Sequence, residues 1–221
     1  MLNKKIETKD LFTCETDYLE PLFNSVKYPW EIIPKIKEYV RRLVADGIDG
    51  FTEISEGVLA GKNVSISPTA TIEAPTILGS GTQVRPGAYI RGFVITGADC
   101  VLGNSSEFKN CILLNKVQAP HYNYVGDSIL GNGSHLGAGT VCSNLKGDGK
   151  SVVIHSDIDY ETGIRKLGGI LADGVDVGCG CVLNPGTIIG KNTRVYPLNS
   201  LRGVFAGGCI VKKPDDVIIM K

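Results

Sequence analysis

Apolar residues recur at every sixth position in three stretches of the chain, and this spacing predicts the architecture. An amphipathic helix repeats about every 3.6 residues and a half-buried strand repeats every two residues, so neither element produces this period. Repeats this short are typical of a chain that is wound into a parallel β-helix. The positions are Ile66, Ile72, Leu78, Val84 and Ile90 in the first stretch, Leu130, Leu136 and Cys142 in the second, and Leu171, Val177, Leu183, Ile189, Val195 and Leu201 in the third.

Each repeat is expected to form one short strand and one turn, and three repeats would complete a triangular coil of about eighteen residues. The apolar residue of each repeat would point inward and stack on the coils above and below it. Burial of one such side chain stabilises the fold by roughly 1.5–3 kcal/mol. A charged residue at any of these positions should therefore disrupt the stack.

The repeat is interrupted twice, over residues 91–129 and over residues 143–170. In both places the apolar residues on either side are separated by a number of residues that is not a multiple of six. Solenoids accommodate insertions as surface loops, and functional residues often lie on such loops. We therefore expect an inserted loop in each interruption.

Residues 1–60 lack the repeat and are predicted to form an N-terminal helical segment, followed by the β-helix over 61–221. The segment Pro29–Val44 is predicted to be a helix, because its apolar residues lie three or four positions apart with Lys and Arg between them. Gly47 is predicted to end this helix. The segment would either bind a partner or cover the first coil, since a solenoid must protect its ends.

Charge and cysteine usage exclude several classes of function. The 23 basic and 23 acidic residues balance, so no general attraction to nucleic acid or to a membrane surface is expected. Seven Cys without a CxxC pair, and no secretory leader, predict reduced thiols in a cytoplasmic protein. No apolar run reaches the length of about eighteen residues that a membrane span requires.

Two groups of motifs carry a specific resemblance. The first consists of APHYNYVGD over Ala119–Asp127, LGAGT over 136–140 and CSN over 142–144. With the six-residue repeat, these motifs resemble the left-handed β-helix of hexapeptide-repeat acyltransferases, and within them the acetyltransferase domain of bifunctional N-acetylglucosamine-1-phosphate uridyltransferases. The second, ETGIRKLGG over 161–169, is similar to archaeal-type sugar-phosphate nucleotidyltransferases that carry the same domain. The resemblance covers roughly residues 64–213.

The resemblance implies an all-β, left-handed parallel β-helix that assembles as a homotrimer, with the active site between subunits. It implies transfer of an acetyl group from acetyl-CoA to the amine of an amino sugar phosphate or amino sugar nucleotide. The chain has no room for the nucleotidyltransferase domain of those relatives, so we do not expect pyrophosphorylase activity. No metal is expected, because the thioester is already activated.

The resemblance also assigns roles to individual residues. An amine that is protonated at neutral pH requires a base with a pKa near 7, which histidine provides. The resemblance places this base on His121 and its orienting carboxylate on Glu107. Cations suit a phosphate group. The residues matched to sugar-phosphate binding are Arg85, Lys109, Tyr124, His135 and Lys150, and those matched to the acetyl-CoA site are Asn144 and Cys179.

Three positions depart from the family pattern and leave the amino sugar undefined. His135 stands where the relatives have a sugar-contacting asparagine, Leu145 replaces a tyrosine, and Pro197 replaces a small residue of the CoA groove. The main alternative is a non-catalytic β-helix that binds a sugar nucleotide or serves as a subunit or regulator of a nucleotidyltransferase. Zinc-dependent γ-class carbonic anhydrases share the fold, but two of their three His ligands lie five residues apart, and none of the three His of this chain has that spacing.

Overall fold

The computed structural model describes residues 5–220, and their six-residue repeat forms the predicted left-handed parallel β-helix. Three sheets, which we call A, B and C, run along the molecule, and the winding chain adds a strand to each sheet in turn. Within each sheet the strands are parallel, except that the first pair of sheet A and the last pair of sheet B are antiparallel. The fold class predicted from the repeat is confirmed.

Strand numbers follow the order of the chain, so the strands of one sheet are not consecutive. Sheet A contains β1 (Thr52–Ser55), β2 (Val58–Ala60), β5 (Thr76–Leu78), β8 (Val94–Thr96), β11 (Cys111–Leu113), β14 (Ile129–Leu130), β19 (Ile170–Leu171), β22 (Ile188–Ile189) and β25 (Val204–Phe205). Sheet B contains β3 (Ser65–Ile66), β6 (Gln83–Val84), β9 (Val101–Asn104), β12 (Gln118–His121), β15 (His135–Leu136), β20 (Asp176–Val177), β23 (Arg194–Val195), β26 (Cys209–Lys213) and β27 (Asp216–Ile219). Sheet C contains β4 (Thr71–Ile72), β7 (Tyr89–Ile90), β10 (Glu107–Lys109), β13 (Tyr124–Gly126), β16 (Val141–Cys142), β21 (Val182–Leu183) and β24 (Ser200–Leu201). A separate antiparallel hairpin is formed by β17 (Val153–His155) and β18 (Asp159–Glu161).

The repeat residues form the core of the coils, as expected, from Leu78 to Leu201. The first coil differs, because Ile66 is 37% exposed and Ile72 is only half-buried. These two residues have a neighbouring coil on one side only, so their side chains are not enclosed. The expectation that every repeat residue is buried is therefore wrong for the first coil.

Residues 91–129 do not form the inserted loop that we expected. They form regular coils that contain the strands from β8 to β14. Register pairs Ile95 with Ile112, and Ile112 with Ile129, so these coils are seventeen residues long. The missing residue lies at the corner between sheets C and A, where Asn110 alone joins β10 to β11 with a φ of 46°. Loss of one residue per coil removes the six-residue period from the sequence without interrupting the stack.

The second interruption is an insertion, as predicted. The chain leaves the stack after β16, forms the β17–β18 hairpin, and returns at β19. Strands on the two sides of the insertion pair directly, with Cys142 opposite Leu183 and Leu130 opposite Leu171. The insertion therefore projects from the corner between sheets C and A while the core continues past it.

The N-terminal segment is helical, and its elements are α1 (Thr8–Leu11), α2 (Glu20–Asn24), a 3₁₀ helix (Pro29–Lys35) and α3 (Ile36–Asp46). The helix predicted over Pro29–Val44 thus begins as a 3₁₀ helix. Pro34 lies within that part and lacks the N–H that an α-helical hydrogen bond requires. Gly47 follows α3 with a φ of 74°, so it ends the helix as predicted.

This segment lies along the side of the β-helix, on sheet A and the corner between sheets A and B, where α3 contacts β5 and every residue of β5 and β8 is buried. The Tyr18 hydroxyl donates to the Thr96 carbonyl at 2.7 Å, and the Thr13 amide donates to the Asp173 carboxylate at 2.8 Å. Because these partners belong to coils far apart in the stack, the helical part of the segment follows the axis of the solenoid. Strand β1 lies beyond the first coil, at the edge of sheet A. In the part of the chain that the structure describes, no helix is both long and apolar enough to cross a bilayer.

Candidate functional site

His121 lies at the corner between sheets B and C, at the end of β12, and its side chain is exposed. The same corner of the next coil is occupied by Ala138, and that of the following coil by Cys179, which is also exposed. Strands in neighbouring coils are about 4.8 Å apart, so Cys179 lies about 10 Å from His121 along the axis. The predicted base and one predicted acetyl-CoA residue therefore share one corner, with a small side chain between them.

A second group of predicted residues meets at the corner between sheets C and A. Lys109, Tyr124 and Asn144 come from three successive coils. The Asn144 side-chain amide donates to the Tyr124 hydroxyl at 3.2 Å and to the Asp127 carboxylate. The Lys109 ammonium lies 3.9 Å from the same carboxylate. Asp127 was not among the predicted residues. It is 5% exposed, and its carboxylate contacts both Asn144 and Lys109.

The alternation of β10 explains why Lys109 reaches this group. Successive side chains of a strand point to opposite faces. Phe108 is fully buried in the core, so Glu107 and Lys109 on either side of it point outward. Register then places Glu107 beside Tyr124 of the next coil. The pleat of β10 and the stacking of coils thus bring Glu107 and Lys109 to the outer face of sheet C near Tyr124.

The structure does not join His121 to Glu107 within one chain. The Glu107 carboxylate accepts a hydrogen bond from Arg91 at 2.7 Å. The backbone amide of His121 donates to the Asn123 side chain at 3.1 Å, and within residues 5–220 its imidazole has no hydrogen-bond partner. Arg91 was missed by sequence reasoning, although it follows Tyr89 at the same corner position that Lys109 occupies one coil later.

Of the other predicted residues, Arg85 shares the corner of His121 two coils earlier, whereas Lys150 and His135 lie apart from both groups. Arg85 is half-buried at the corner between sheets B and C, and its amide donates to the Leu102 carbonyl at 2.8 Å. Lys150 is exposed on the insertion. His135 points outward from sheet B, where its Nδ1 lies 2.8 Å from the Asp176 carboxylate.

An open cavity of about 430 Å³ lies on the side of the insertion, and its lining includes Ser143 and Leu145, the sequence neighbours of Asn144. Its cationic lining residues are Lys146 and Arg202. Lys146 is 3.3 Å from Asp148 of the same insertion, so its charge is partly compensated.

Burial controls the ionisation of several groups. It raises the pKa of Tyr124, and the negative charges of Asp127 and Glu107 raise it further, so the hydroxyl keeps its proton. Burial also raises the pKa of Cys100 and of Cys142 to about 12, so these thiols pack as small apolar side chains. Among residues 5–220, no group of three or more His, Cys, Asp or Glu side chains could hold a metal ion.

Comparison with known proteins agrees with the motifs. Residues 72–165 match the family model described as the GMPPB C-terminal domain. The whole chain matches the bifunctional protein GlmU of Methanococcus vannielii at 29% identity, covering 53% of that protein, and that of Methanococcus maripaludis strain C5 at 30%, covering 54%. The bifunctional sugar-1-phosphate nucleotidylyltransferase/acetyltransferase of Sulfurisphaera tokodaii is 30% identical over 76% of this chain and 43% of its own length.

This chain spans about half the length of the GlmU relatives that it matches. The similarity extends beyond the motifs, since it includes the N-terminal helical segment as well as the β-helix. The resemblance predicted from the sequence is confirmed, and the chain is similar over its whole length to part of the bifunctional GlmU proteins.

Proposed function

We propose that this chain transfers an acetyl group from acetyl-CoA to the amine of an amino sugar phosphate or amino sugar nucleotide. The observation that carries the proposal is the meeting of Lys109, Tyr124 and Asn144 at one corner. Together they offer an ammonium for a phosphate and two polar groups for a sugar. The proposal moves Asn144 from the acetyl-CoA site, to which the resemblance matched it, to the sugar site, because its side-chain amide contacts the Tyr124 hydroxyl. The relatives support the same reaction, since the name of the Sulfurisphaera tokodaii protein includes acetyltransferase activity.

In this proposal His121 is the general base. The amine nitrogen attacks the thioester carbonyl, the C–S bond breaks, and coenzyme A leaves as a thiol. His121 accepts a proton from the amine and returns it to the departing sulfur. Its imidazole is exposed and therefore reachable by a substrate amine, and histidine is the side chain that exchanges protons most readily near neutral pH.

The corner that His121 shares with Cys179 supports a place for acetyl-CoA. Ala138 and Cys179 are small, so an extended ligand arm could lie along the corner and bring its thioester to His121. Pro197 follows at the same corner on the next coil, where the amide of Leu198 donates to the Cys179 carbonyl at 2.9 Å. This departure from the family pattern therefore lies beside the proposed CoA arm.

A homotrimer forms part of the proposal. In one chain, His121 and the Lys109, Tyr124 and Asn144 group lie at opposite corners of sheet C. A neighbouring copy related by cyclic symmetry would place its own His121 beside this group. Such an arrangement would also supply His121 with a carboxylate partner from another chain.

Acetyl-CoA consumption with glucosamine-1-phosphate and other amino sugar phosphates tests the proposal. Wild-type protein should be active, and His121→Ala should lose about 10²–10⁴-fold in kcat. His155→Ala is the matched control and should retain activity, because His155 lies on the β17–β18 hairpin beside Asp159. If wild type and His121→Ala are equally inactive while the protein binds a sugar nucleotide, the non-catalytic alternative is correct. The Arg91–Glu107 pair is the observation that favours this alternative.

A further inference from the structure

Asp127 carries a carboxylate in a buried position, which is costly unless the charge has partners. It accepts a hydrogen bond from the Asn110 side-chain amide at 2.7 Å and another from the Asn144 side-chain amide. The Lys109 ammonium lies 3.9 Å away. Two asparagines and a lysine therefore converge on one buried charge.

Three polar residues form a column in this corner, and their spacing in the sequence equals the length of the short coils. Asn110, Asp127 and Asn144 are seventeen positions apart in the sequence, and they stack at the corner between sheets C and A. The Asp127 amide donates to the Lys109 carbonyl at 3.0 Å, and the Asp127 carbonyl accepts from Gly168, where the insertion returns, at 2.8 Å. The backbone thus holds Asp127 in place independently of its carboxylate.

A carboxylate only accepts hydrogen bonds, so its charge fixes the direction of every group that contacts it. The Asn144 amide must turn its NH₂ toward Asp127, and its Oδ1 therefore points elsewhere as an acceptor. The same NH₂ donates to the Tyr124 hydroxyl, which leaves the hydroxyl proton of Tyr124 free to be donated. Burial and nearby negative charge raise the pKa of Tyr124, so that proton is retained.

We infer that Asp127 is a positioning residue for the acceptor substrate, and this inference rests on the proposed acetyltransferase function. Through Asp127, the corner presents one acceptor at Asn144 Oδ1, one donor at the Tyr124 hydroxyl and one cation at Lys109. An amino sugar phosphate carries the complementary set, namely an N–H or O–H donor, a hydroxyl oxygen and a phosphate. Asp127 contacts none of these groups itself and acts through its three neighbours.

Asp127→Asn tests the inference, because it preserves the shape of the side chain and removes its charge. The new amide offers one acceptor and one NH₂ in place of two acceptors, so the Asn110 and Asn144 amides can no longer both keep their present orientation, and Lys109 loses its carboxylate partner. The KM for glucosamine-1-phosphate should rise tenfold or more, while the KM for acetyl-CoA should change less than twofold. This split between the two substrates is a readout that a purely structural role would not produce.

Asp173→Asn is the matched control. Asp173 is also mostly buried and also holds several groups, with Lys191 at 3.1 Å and the Asn132 amide at 2.9 Å. It lies at the corner between sheets A and B, on the side that holds the N-terminal segment. This variant should lower thermal stability without changing the KM of either substrate.

The outcomes separate the two proposals. If wild type is active and Asp127→Asn keeps the wild-type acceptor KM, or raises both KM values equally, the positioning role is refuted and the proposed function stands. If wild type is inactive but titration calorimetry shows that Asp127→Asn binds glucosamine-1-phosphate tenfold more weakly, the positioning role stands and the proposed function fails. Absence of both binding and activity in wild type refutes both.

A second variant keeps the test decisive if Asp127→Asn does not fold. Asn144→Ala removes the oriented amide and leaves Asp127 with Asn110 and Lys109. It should raise the acceptor KM selectively, as Asp127→Asn should. An unchanged acceptor KM in a folded Asn144→Ala protein would overturn the inference.

Discussion

The stacking of coils predicts that two isoleucines of the same repeat contribute very differently to stability. Ile189 is fully buried in sheet A, where register places it between Leu171 and Phe205. Ile66 belongs to the first strand of sheet B, is 37% exposed, and has only Val84 as a register partner. Ile189→Ala should cost about 2–5 kcal/mol, because it removes buried methyl groups and leaves a cavity. Ile66→Ala should cost roughly 1–1.5 kcal/mol, since part of its surface is already in water and no closed cavity forms.

Urea unfolding at one fixed protein concentration measures this difference, with ellipticity and intrinsic fluorescence as independent probes. The concentration must be fixed because association of copies would contribute to the apparent stability. The two variants should show similar m-values and clearly separated midpoints. Equal losses of free energy, or a larger loss for Ile66→Ala, would refute the argument that burial between coils stabilises the solenoid.

Three further variants test other parts of the structure. Arg91→Ala should change the free energy of unfolding by less than about 1 kcal/mol, because its ion pair with Glu107 is partly exposed; a larger loss in urea unfolding would contradict this. Cys179→Trp should raise the KM for acetyl-CoA and leave the acceptor KM unchanged in steady-state assays, since the exposed corner tolerates a larger side chain but the proposed CoA arm does not. The pKa of Cys142 is raised by burial from 9.0 to about 12, so the unfolded chain releases this proton first and stability falls as pH rises from 9 toward 12. At pH 10 the loss from this thiol is on the order of 1 kcal/mol, and Cys142→Val should be less sensitive than wild type when urea unfolding is compared at pH 8 and pH 10.

The fold could be predicted from the sequence because the repeat is enforced by burial. Positions such as Leu136 and Leu183 are enclosed between coils, so their apolar character follows the geometry of the stack. The sequence predicts an inserted loop over residues 91–129 where the structure has shortened coils, and the reason is physical. A coil that is one residue shorter and an inserted loop both break a period of six, and only the pairing of Ile95 with Ile112 and of Ile112 with Ile129 distinguishes them.

The candidate site could be predicted only in part, because a motif identifies residues but not their contacts. The resemblance assigned Glu107 a role beside His121, yet the partner of Glu107 within the chain is Arg91, which lies one coil earlier. Arg91 becomes visible only when the register of sheet C is known, since the register stacks Glu107 on Tyr89. Residue roles at this site therefore depend on which coils are neighbours, and local sequence does not contain that information.

The loss of one residue per coil, which removes the six-residue period from residues 91–129, also explains the column of polar residues at the site. Coils of seventeen residues place Asn110, Asp127 and Asn144 at equivalent positions of one corner, so their side chains meet although they are far apart in sequence. In a coil with the regular number of residues, the register at this corner would shift by one position and the column would not form. The corner is also the point where the insertion leaves the stack and where Gly168 returns to bind the Asp127 carbonyl. Irregularity in the repeat is thus concentrated at the corner that carries the buried charge, and a search of other solenoids for such shortened corners would locate candidate sites in them.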